Sequence, residues 1–254
     1  MRFLSTFCTI LLSLTTFILF SCSNKTEDFT SEPISDYIPL QTGKYITYRL
    51  DSLVFTNFGR NLETHRYQVK NVIDVQMTDN QGRPTYRVYS YIRDSAGTQS
   101  WNPNGTYYIT PLANQIEVSD DNFRIIKMHL PIKSGFTWKG NAYLPTDPYE
   151  SLNPYNSYDF GMSDWEFIYD GETEPAASLQ GRTYNDVLTV EQRDEHFNAP
   201  VTDIHLYGSK DRSVEKYSKN IGLVYRKHVL WDYQTSLTPH YTGFGITMWM
   251  IDHN

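Results

Sequence analysis

Residues 65–78, HRYQVKNVIDVQMT, carry the pattern that decides the fold class. From Tyr67 to Met77 the odd-numbered positions are apolar in five of six cases, whereas the even-numbered positions from Gln68 to Thr78 are apolar in only one. Successive side chains of a β-strand point to opposite faces, so this alternation predicts a strand with one buried side and one solvent-facing side. Burial on one side only is typical of antiparallel sheets.

The same period-two pattern recurs along most of the chain. Residues 79–84 combine Asp, Asn, Gly and Pro, and they predict a hairpin turn between residues 65–78 and 85–93. Asn220-Ile221-Gly222 predicts a second hairpin turn. Further strands are predicted at residues 44–55, 106–110, 115–118, 123–130, 165–170, 186–193, 202–207, 213–219 and 223–233.

Helical signals are weak, because no window of a dozen residues combines an apolar stripe at helical spacing with caps at both ends. Residues 209–220 are the best helical candidate, although Val214 and Tyr217 give them only a thin apolar face. We therefore predict an all-β, mainly antiparallel fold. A strongly twisted barrel-like or half-barrel sheet is favoured over a two-sheet sandwich, because closure limits exposed edges.

Composition and charge exclude several functional classes. The 254 residues are 15% aromatic, which supplies far more buriable surface than a disordered chain carries. A formal net charge of −7 argues against a nucleic-acid partner.

The N-terminus predicts a lipoprotein signal peptide. Met1-Arg2 is followed by an uncharged apolar stretch, residues 3–20, and then by Ser21-Cys22. Cleavage before Cys22 would leave that residue as the only thiol of the body, because the other cysteine, Cys8, lies inside the apolar stretch. Cys22 is therefore the predicted lipidation site. A retained N-terminal membrane anchor and simple secretion are the alternatives.

The segment Leu19-Phe20-Ser21-Cys22 resembles the signals of outer-membrane lipoproteins of Bacteroidota. Residues 23–28, SNKTED, are similar to the acidic stretch that is associated in that group with export to the cell surface. The resemblance implies an outer-membrane protein anchored by lipid on Cys22, either surface-exposed or facing the periplasm.

The predicted organisation has three parts: a signal peptide at residues 1–21, an acidic flexible tether at residues 22–38, and a single β-rich domain at residues 39–254. Residues 141–163 contain three prolines and five Tyr or Phe residues, and they predict a long loop, since closely spaced prolines do not fit a central strand. A boundary between two subdomains near residue 150 is the alternative interpretation of this segment.

A second resemblance covers about 45 residues. Residues 181–190, GRTYNDVLTV, and 215–226, EKYSKNIGLVYR, are similar to a strand and a hairpin found in uncharacterised bacterial lipoproteins. The resemblance implies an extended β-sheet lipoprotein and supplies no catalytic residues.

Catalytic motifs are lacking in the sequence. It contains no phosphate-binding glycine loop, HExxH, GxSxG or EF-hand motif, and the seven histidines are scattered, so no metal site and no cofactor are predicted. Two acidic clusters, Asp170-Gly171-Glu172-Thr173-Glu174 and Glu191 with Asp194-Glu195, could supply a carboxylate pair for glycoside hydrolysis only if folding places them across a cleft.

Aromatic residues in predicted loops are the candidate ligand contacts, because flat Tyr and Trp faces stack on sugar rings. One group lies at residues 101–108 and the other at residues 141–165. The alternative role of these rings is to anchor long loops on the sheet. The candidates are Trp101, Tyr107, Tyr149, Tyr155, Tyr158 and Trp165.

The sequence predicts a lipid-anchored cell-envelope β domain that binds a ligand or partner without catalysis. The ligand is either a glycan, bound by exposed aromatic rings, or an apolar molecule, bound in a concave cavity. The alternatives are a polysaccharide hydrolase with an Asp/Glu pair and a structural subunit of an outer-membrane complex. A hydrolase predicts converging carboxylates, and a subunit predicts an exposed apolar patch.

Overall fold

The computed structural model of the protein describes residues 31–146, 148–149 and 161–254. The predicted signal peptide and the predicted lipidation site, Cys22, lie outside these residues. Residues 31–254 form one compact unit.

The described residues are 61% strand and 3% helix, and they build an antiparallel sheet that is nearly closed into a barrel. The strands are β1 (Tyr45–Thr56), β2 (Asn61–Thr78), β3 (Pro84–Asp94), β4 (Asn102–Pro111), β5 (Gln115–Asp120), β6 (Phe123–His129), β7 (Thr137–Trp138), β8 (Phe167–Tyr169), β9 (Glu174–Leu179), β10 (Arg182–Phe197), β11 (Gly208–Ser218), β12 (Gly222–Gln234) and β13 (His240–His253). Short 3-10 turns lie at Ile34–Asp36 and Met162–Asp164.

The strands follow one continuous order, β6-β5-β4-β3-β2-β1-β13-β12-β11-β10-β8-β7, and β9 pairs with β10 beside this path. Most neighbours are therefore consecutive in sequence, and the first and last long strands, β1 and β13, pair with each other. The predicted all-β barrel-like fold is confirmed. A two-sheet sandwich is excluded, because all of the described strands belong to one sheet.

The barrel closes at a narrow seam between β6 and the residues after β7. The backbone N–H of Ile126 donates to the carbonyl of Gly140 at 2.8 Å, and the indole Nε1 of Trp138 donates to the carbonyl of Ile126 at 2.9 Å. A glycine is needed at position 140, because a Cβ there would lie 2.3 Å from the ring of Phe167 on β8. The phenol of Tyr169 on β8 also accepts from the backbone N–H of His129 on β6 at 3.1 Å and donates to its carbonyl at 2.8 Å. Four hydrogen bonds, three of them to side chains, thus replace a strand ladder at the seam.

Both predicted hairpins are confirmed, by the β2–β3 and β11–β12 pairings. The helical candidate at residues 209–220 is wrong, since Gly208–Ser218 forms β11. Its inward face carries the buried polar side chains of Asp211, Ser213 and Glu215, so the apolar alternation that marks a strand is hidden.

The predicted strand at residues 202–207 is also wrong. This segment belongs to the loop between β10 and β11, where the side chain of Asn198 accepts hydrogen bonds from the backbone N–H groups of Thr202 and Asp203 and donates to the carbonyl of Asp203. An Asn side chain that bonds nearby backbone groups competes with strand pairing in this way.

The alternation in β2 is interrupted by a bulge between Ile73 and Val75. Val69 and Ile73 are buried as predicted, whereas Val75 and Met77 are 38% and 39% exposed. One extra residue in a strand reverses the faces of all later side chains, which is why these two apolar positions point outward.

The end of the predicted flexible tether, residues 22–38, is packed against the barrel. Ile34 and Tyr37 are buried in the main hydrophobic core, and the carbonyl of Asp36 accepts the backbone N–H of Asn220 at 2.7 Å. The phenol of Tyr37 donates to Glu32 at 2.8 Å. Residues 33–38 therefore cover one end of the barrel, and the prediction of flexibility is wrong for them because two large apolar side chains gain burial there.

Candidate functional site

The barrel encloses a cavity of about 440 Å³ between its inward-facing side chains and the N-terminal segment. This volume falls in the range of about 300–1,000 Å³ that is usual for small-molecule sites. The exposed residues Asn104, Gly105 and Thr106 of β4 border it, so the cavity reaches the surface there. Its apolar wall is formed by Ile38, Leu40, Ile46, Tyr48, Leu50, Val69, Ile73, Val88, Tyr107, Ile109, Val118, Leu223, Ile246 and Met248.

The period-two pattern of the strands positions this wall. Ile46, Tyr48 and Leu50 alternate along β1 and all line the cavity, as do Val69 and Ile73 on β2. Part of the apolar alternation that predicted the fold class therefore also lines the cavity, and in β2 this part lies before the bulge.

A buried polar network lies at the wall of this apolar space, centred on Glu215 of β11. One carboxylate oxygen accepts from Lys127 Nζ at 2.8 Å, and the other accepts from Gln192 Nε2 at 2.9 Å and from Tyr217 Oη at 2.7 Å. Lys127 lies on β6, which is not a neighbour of β11, so this ion pair crosses the barrel interior.

The network sets the charges in the interior. Burial raises the pKa of Glu215, but the nearby Lys127 and Arg226 outweigh this and lower it to about 2. Burial and the positive charge of Arg226 lower the pKa of Lys127, whereas Glu215 opposes the change. Glu215, Lys127 and Arg226 could not be predicted as a group from the sequence, because single charges within apolar strands do not reveal that they meet across a barrel.

Arg226 lies beside this network on β12. It is the direct cross-strand partner of Glu215 on β11 and of Met248 on β13, and all three line the cavity. Its Nε lies 3.4 Å from the carboxylate of Glu215. Among the described residues this ion pair is the only polar contact of the guanidinium, and its side chain remains 30% exposed.

The cavity also carries two carboxylates at its edge. Asp120 ends β5, Asp121 follows it in the turn to β6, and both line the cavity. Burial of the Asp120 carboxyl and the negative charge of Asp121 raise the pKa of Asp120. Glu215 is occupied by three donors and is 1% exposed, so it is not available as a base or nucleophile.

The structure places two of the predicted ligand residues near β3 and β4. Tyr107 lines the cavity, and burial raises its pKa. Trp101 lies outside the cavity lining and stacks with Arg93, whose Cζ is 4.2 Å from the centre of the indole ring. The expected loop at residues 101–108 is wrong for most of its length, because Asn102–Pro111 forms β4.

The aromatic rings of Tyr149 and Trp165 pack around His228. The ring of Tyr149 contacts Phe244 edge-on at 4.8 Å between centroids, and Trp165 is 1% exposed with its ring 6.2 Å from that of His228. Tyr155 and Tyr158 lie outside the described residues. Ligand contact by the six aromatic candidates stays a prediction.

The two acidic clusters lie away from the cavity. Glu174 pairs with Lys216 at 3.1 Å, Glu195 pairs with Arg193 at 2.7 Å, and Glu191 pairs with Arg212. Burial raises the pKa of Glu191, while Arg212 opposes this. Within the described part of the chain, no group of three or more His, Cys, Asp or Glu side chains is arranged to hold a metal ion.

One end of the barrel is formed by the turns at residues 57–60 and 235–239 and the loop at residues 198–207, and it is named the loop end here. Several large apolar side chains are exposed there. The carbonyl of Gly59 accepts the backbone N–H of Tyr241 at 2.7 Å, which joins the first turn to the start of β13. Phe58 and Leu237 are almost fully exposed, and Ile204 and Leu206 are 60% and 48% exposed. Helices long and apolar enough to cross a bilayer are lacking in the described ranges.

Known proteins resemble this chain only weakly. No protein-family model and no curated protein sequence matches the chain. A Bacteroides fragilis protein, described as exported and as having a YmcC-like fold, is 11% identical and aligns over 84% of this chain and 96% of its own with a TM-score of 0.33. A DUF1329 family protein from Desulfovibrio piger is 10% identical and aligns over 89% and 93% with a TM-score of 0.20. At such values neither similarity carries an argument about this chain.

Proposed function

We propose that this protein binds an apolar small molecule inside its barrel without catalysing a reaction, and that lipid on Cys22 holds it at the outer membrane. The cavity of about 440 Å³ with its wall of aliphatic and Tyr side chains is the observation that supports binding. A site of this kind gains affinity from apolar area removed from water. Among the described aromatic candidates, Trp101, Tyr149 and Trp165 pack against other side chains, which favours an apolar ligand over a glycan.

The test of binding uses an environment-sensitive apolar dye, N-phenyl-1-naphthylamine, and a matched pair of variants. Leu50→Trp fills the cavity, whereas Leu62→Trp places the same ring at a position that is 43% exposed on β2. We expect the dye to bind the wild type and Leu62→Trp equally, and Leu50→Trp to weaken binding by at least about tenfold, which corresponds to about 1.4 kcal/mol. Equal binding by all three proteins, or none by the wild type, would contradict the proposal.

The proposed anchor has a separate test. Cys22→Ala should abolish incorporation of radiolabelled fatty acid and release the protein from membranes. Unchanged membrane association of this variant would show that another segment holds the protein there.

Assembly with an outer-membrane protein is the second candidate function, and the loop end favours it. Soluble monomers rarely expose several large apolar side chains together unless the surface binds something. In detergent extracts of outer membranes, the wild type should migrate within a larger complex, and the double variant Phe58→Ser, Leu237→Ser should migrate alone. Migration of the wild type as a free chain would contradict this function.

A further inference from the structure

We infer that the molecule bound in the cavity is a single-chain amphiphile with an anionic head group, a carboxylate or a phosphate, and that Arg226 binds this head group. The inference rests on the proposed function, because it names the class of molecule that the cavity takes. It is based on Arg226, whose guanidinium lines a largely apolar cavity and makes only one ion pair to the described residues.

Arg226 uses little of its hydrogen-bonding capacity. A guanidinium has five N–H donors in a planar fork, and within the described residues Arg226 makes only the 3.4 Å ion pair from Nε to Glu215. Its two terminal nitrogens make no hydrogen bond to the described residues, and Arg226 lines the cavity. A cation that has lost part of its hydration without gaining hydrogen bonds is unfavourable, and an incoming anion would relieve this cost.

The carboxylate of Glu215 is already paired with Lys127 and accepts hydrogen bonds from Gln192 and Tyr217. Lys127 and Arg226 supply two positive charges, and Glu215 together with Asp120, which interacts with both cations, supplies two negative ones. The N–H groups of Arg226 that make no hydrogen bond to the described residues, and not a net charge, would therefore select the head group. A carboxylate or phosphate matches the fork of a guanidinium in charge and in geometry.

On the β13 side, the direct cross-strand partner of Arg226 is Met248, and Ile246 on the same strand also lines the cavity. The wall continues through Leu50 and Tyr48 of β1. An alkyl chain whose head group lies at Arg226 would therefore be surrounded by apolar side chains.

Two other charged positions at the cavity provide controls. Lys44 lines the cavity near the N-terminal segment, but its Nζ already donates to the carbonyl of Asn220 at 3.0 Å. Asp120 also lines the cavity, interacts with Arg226 and Lys127, and would repel an anionic head group placed beside it. These positions make a head-group site at Arg226 distinguishable from a general effect of charge.

The experiment measures dissociation constants of palmitate, hexadecyl phosphate and hexadecanol by dye displacement from residues 22–254 carrying Cys22→Ser, which include the whole compact unit 31–254. We expect at least one of the two anionic ligands to bind the wild type at least about tenfold more tightly than hexadecanol, the scale of a charge-assisted hydrogen-bonded pair. Whichever anion binds more tightly identifies the head group as carboxylate or phosphate. Arg226→Met should abolish the preference, and Lys44→Met and Asp120→Asn should retain it.

Arg226→Lys keeps a positive charge beside Glu215 and should fold even where Arg226→Met does not, and it should reduce the preference because the bidentate fork is lost. Equal binding of all three ligands by the wild type would overturn the head-group inference while leaving apolar binding intact. Loss of the preference in Lys44→Met but not in the Arg226 variants would also overturn it. Binding of none of these ligands or of the dye would instead overturn the proposed function.

Discussion

At the scale of single residues, a few buried polar groups determine which charges the barrel interior carries. The imidazole of His228 is buried, its Nδ1 lies 2.8 Å from Ser213 Oγ, and Ser213 in turn donates to Gln192 at 2.6 Å. Burial, Arg226 and Lys127 lower the pKa of His228 to about 3, against the opposing charge of Glu215. The folded protein therefore holds this imidazole neutral at pH values where the unfolded chain protonates it.

This difference predicts a pH dependence of stability. Because the pKa of His228 is lower in the folded than in the unfolded state, its contribution to stability is fully present above pH 6.5 and is lost as the pH falls towards 3. Between pH 7 and pH 5 the loss should amount to about 2 kcal/mol. Urea unfolding at the two pH values should show this loss in the wild type and in a control at the exposed His205, His205→Gln, but a smaller loss in His228→Gln. An equal loss in all three proteins would contradict the assignment to His228.

At the scale of elements, β13 contains two glycines that interrupt the alternation by which a strand is predicted. Gly243 and Gly245 interrupt the apolar alternation of residues 240–253, so the sequence did not predict this strand. Gly243 has φ +120°, and a Cβ there would lie 2.2 Å from the carbonyl oxygen of Leu230 and 2.7 Å from the Cα of Trp231. The glycine is therefore required by the close approach of β12.

Gly243→Ala should accordingly destabilise the protein by about 3 kcal/mol or more, because backbone strain and a backbone clash add together. Gly82→Ala is the matched control. It shares a positive φ of +77° in the β2–β3 turn, but a Cβ there meets nothing within 4 Å, so its cost should stay near about 1 kcal/mol. Chemical denaturation of both variants measures the difference, and equal costs would show that the clash is relieved by a shift of β12.

Whether a strand could be predicted from the sequence depends on the residues of its inward face. Strands with an apolar inward face, such as β1, β2 and β3, were predicted nearly to their ends. Where the inward face is polar, as at the start of β11 before the predicted strand at residues 213–219, or carries glycines, as in β13, the period-two signal is lost. The cavity wall was thus largely encoded in the apolar alternation, whereas the meeting of Lys127, Glu215 and Arg226 depends on closure of the barrel, which no local pattern records.

At the scale of the whole molecule, long strand pairings hold one side of the barrel and short pairings hold the other. The long strands β2, β1, β13 and β12 pair along most of their lengths, and the β1–β13 pairing joins the two ends of the compact unit. On the opposite side the sheet thins to β8 and β7, of three and two residues, and then to the four hydrogen bonds of the seam. Local opening requires the fewest broken contacts at this seam.

Hydrogen exchange followed by mass spectrometry should therefore show sub-global opening at the seam. We expect peptides from β6 and β7 to exchange faster than peptides from β1 and β13, since short pairings open at a lower free energy than long ladders do. Trp138→Phe retains an aromatic ring but removes the hydrogen bond to the carbonyl of Ile126, and it should accelerate exchange in β6 by roughly five- to tenfold, for about 1 kcal/mol lost. Exchange in β1 and β13 should stay unchanged in this variant. Equal acceleration in all four strands would mean that the seam opens only with global unfolding, and the barrel would then behave as one cooperative unit.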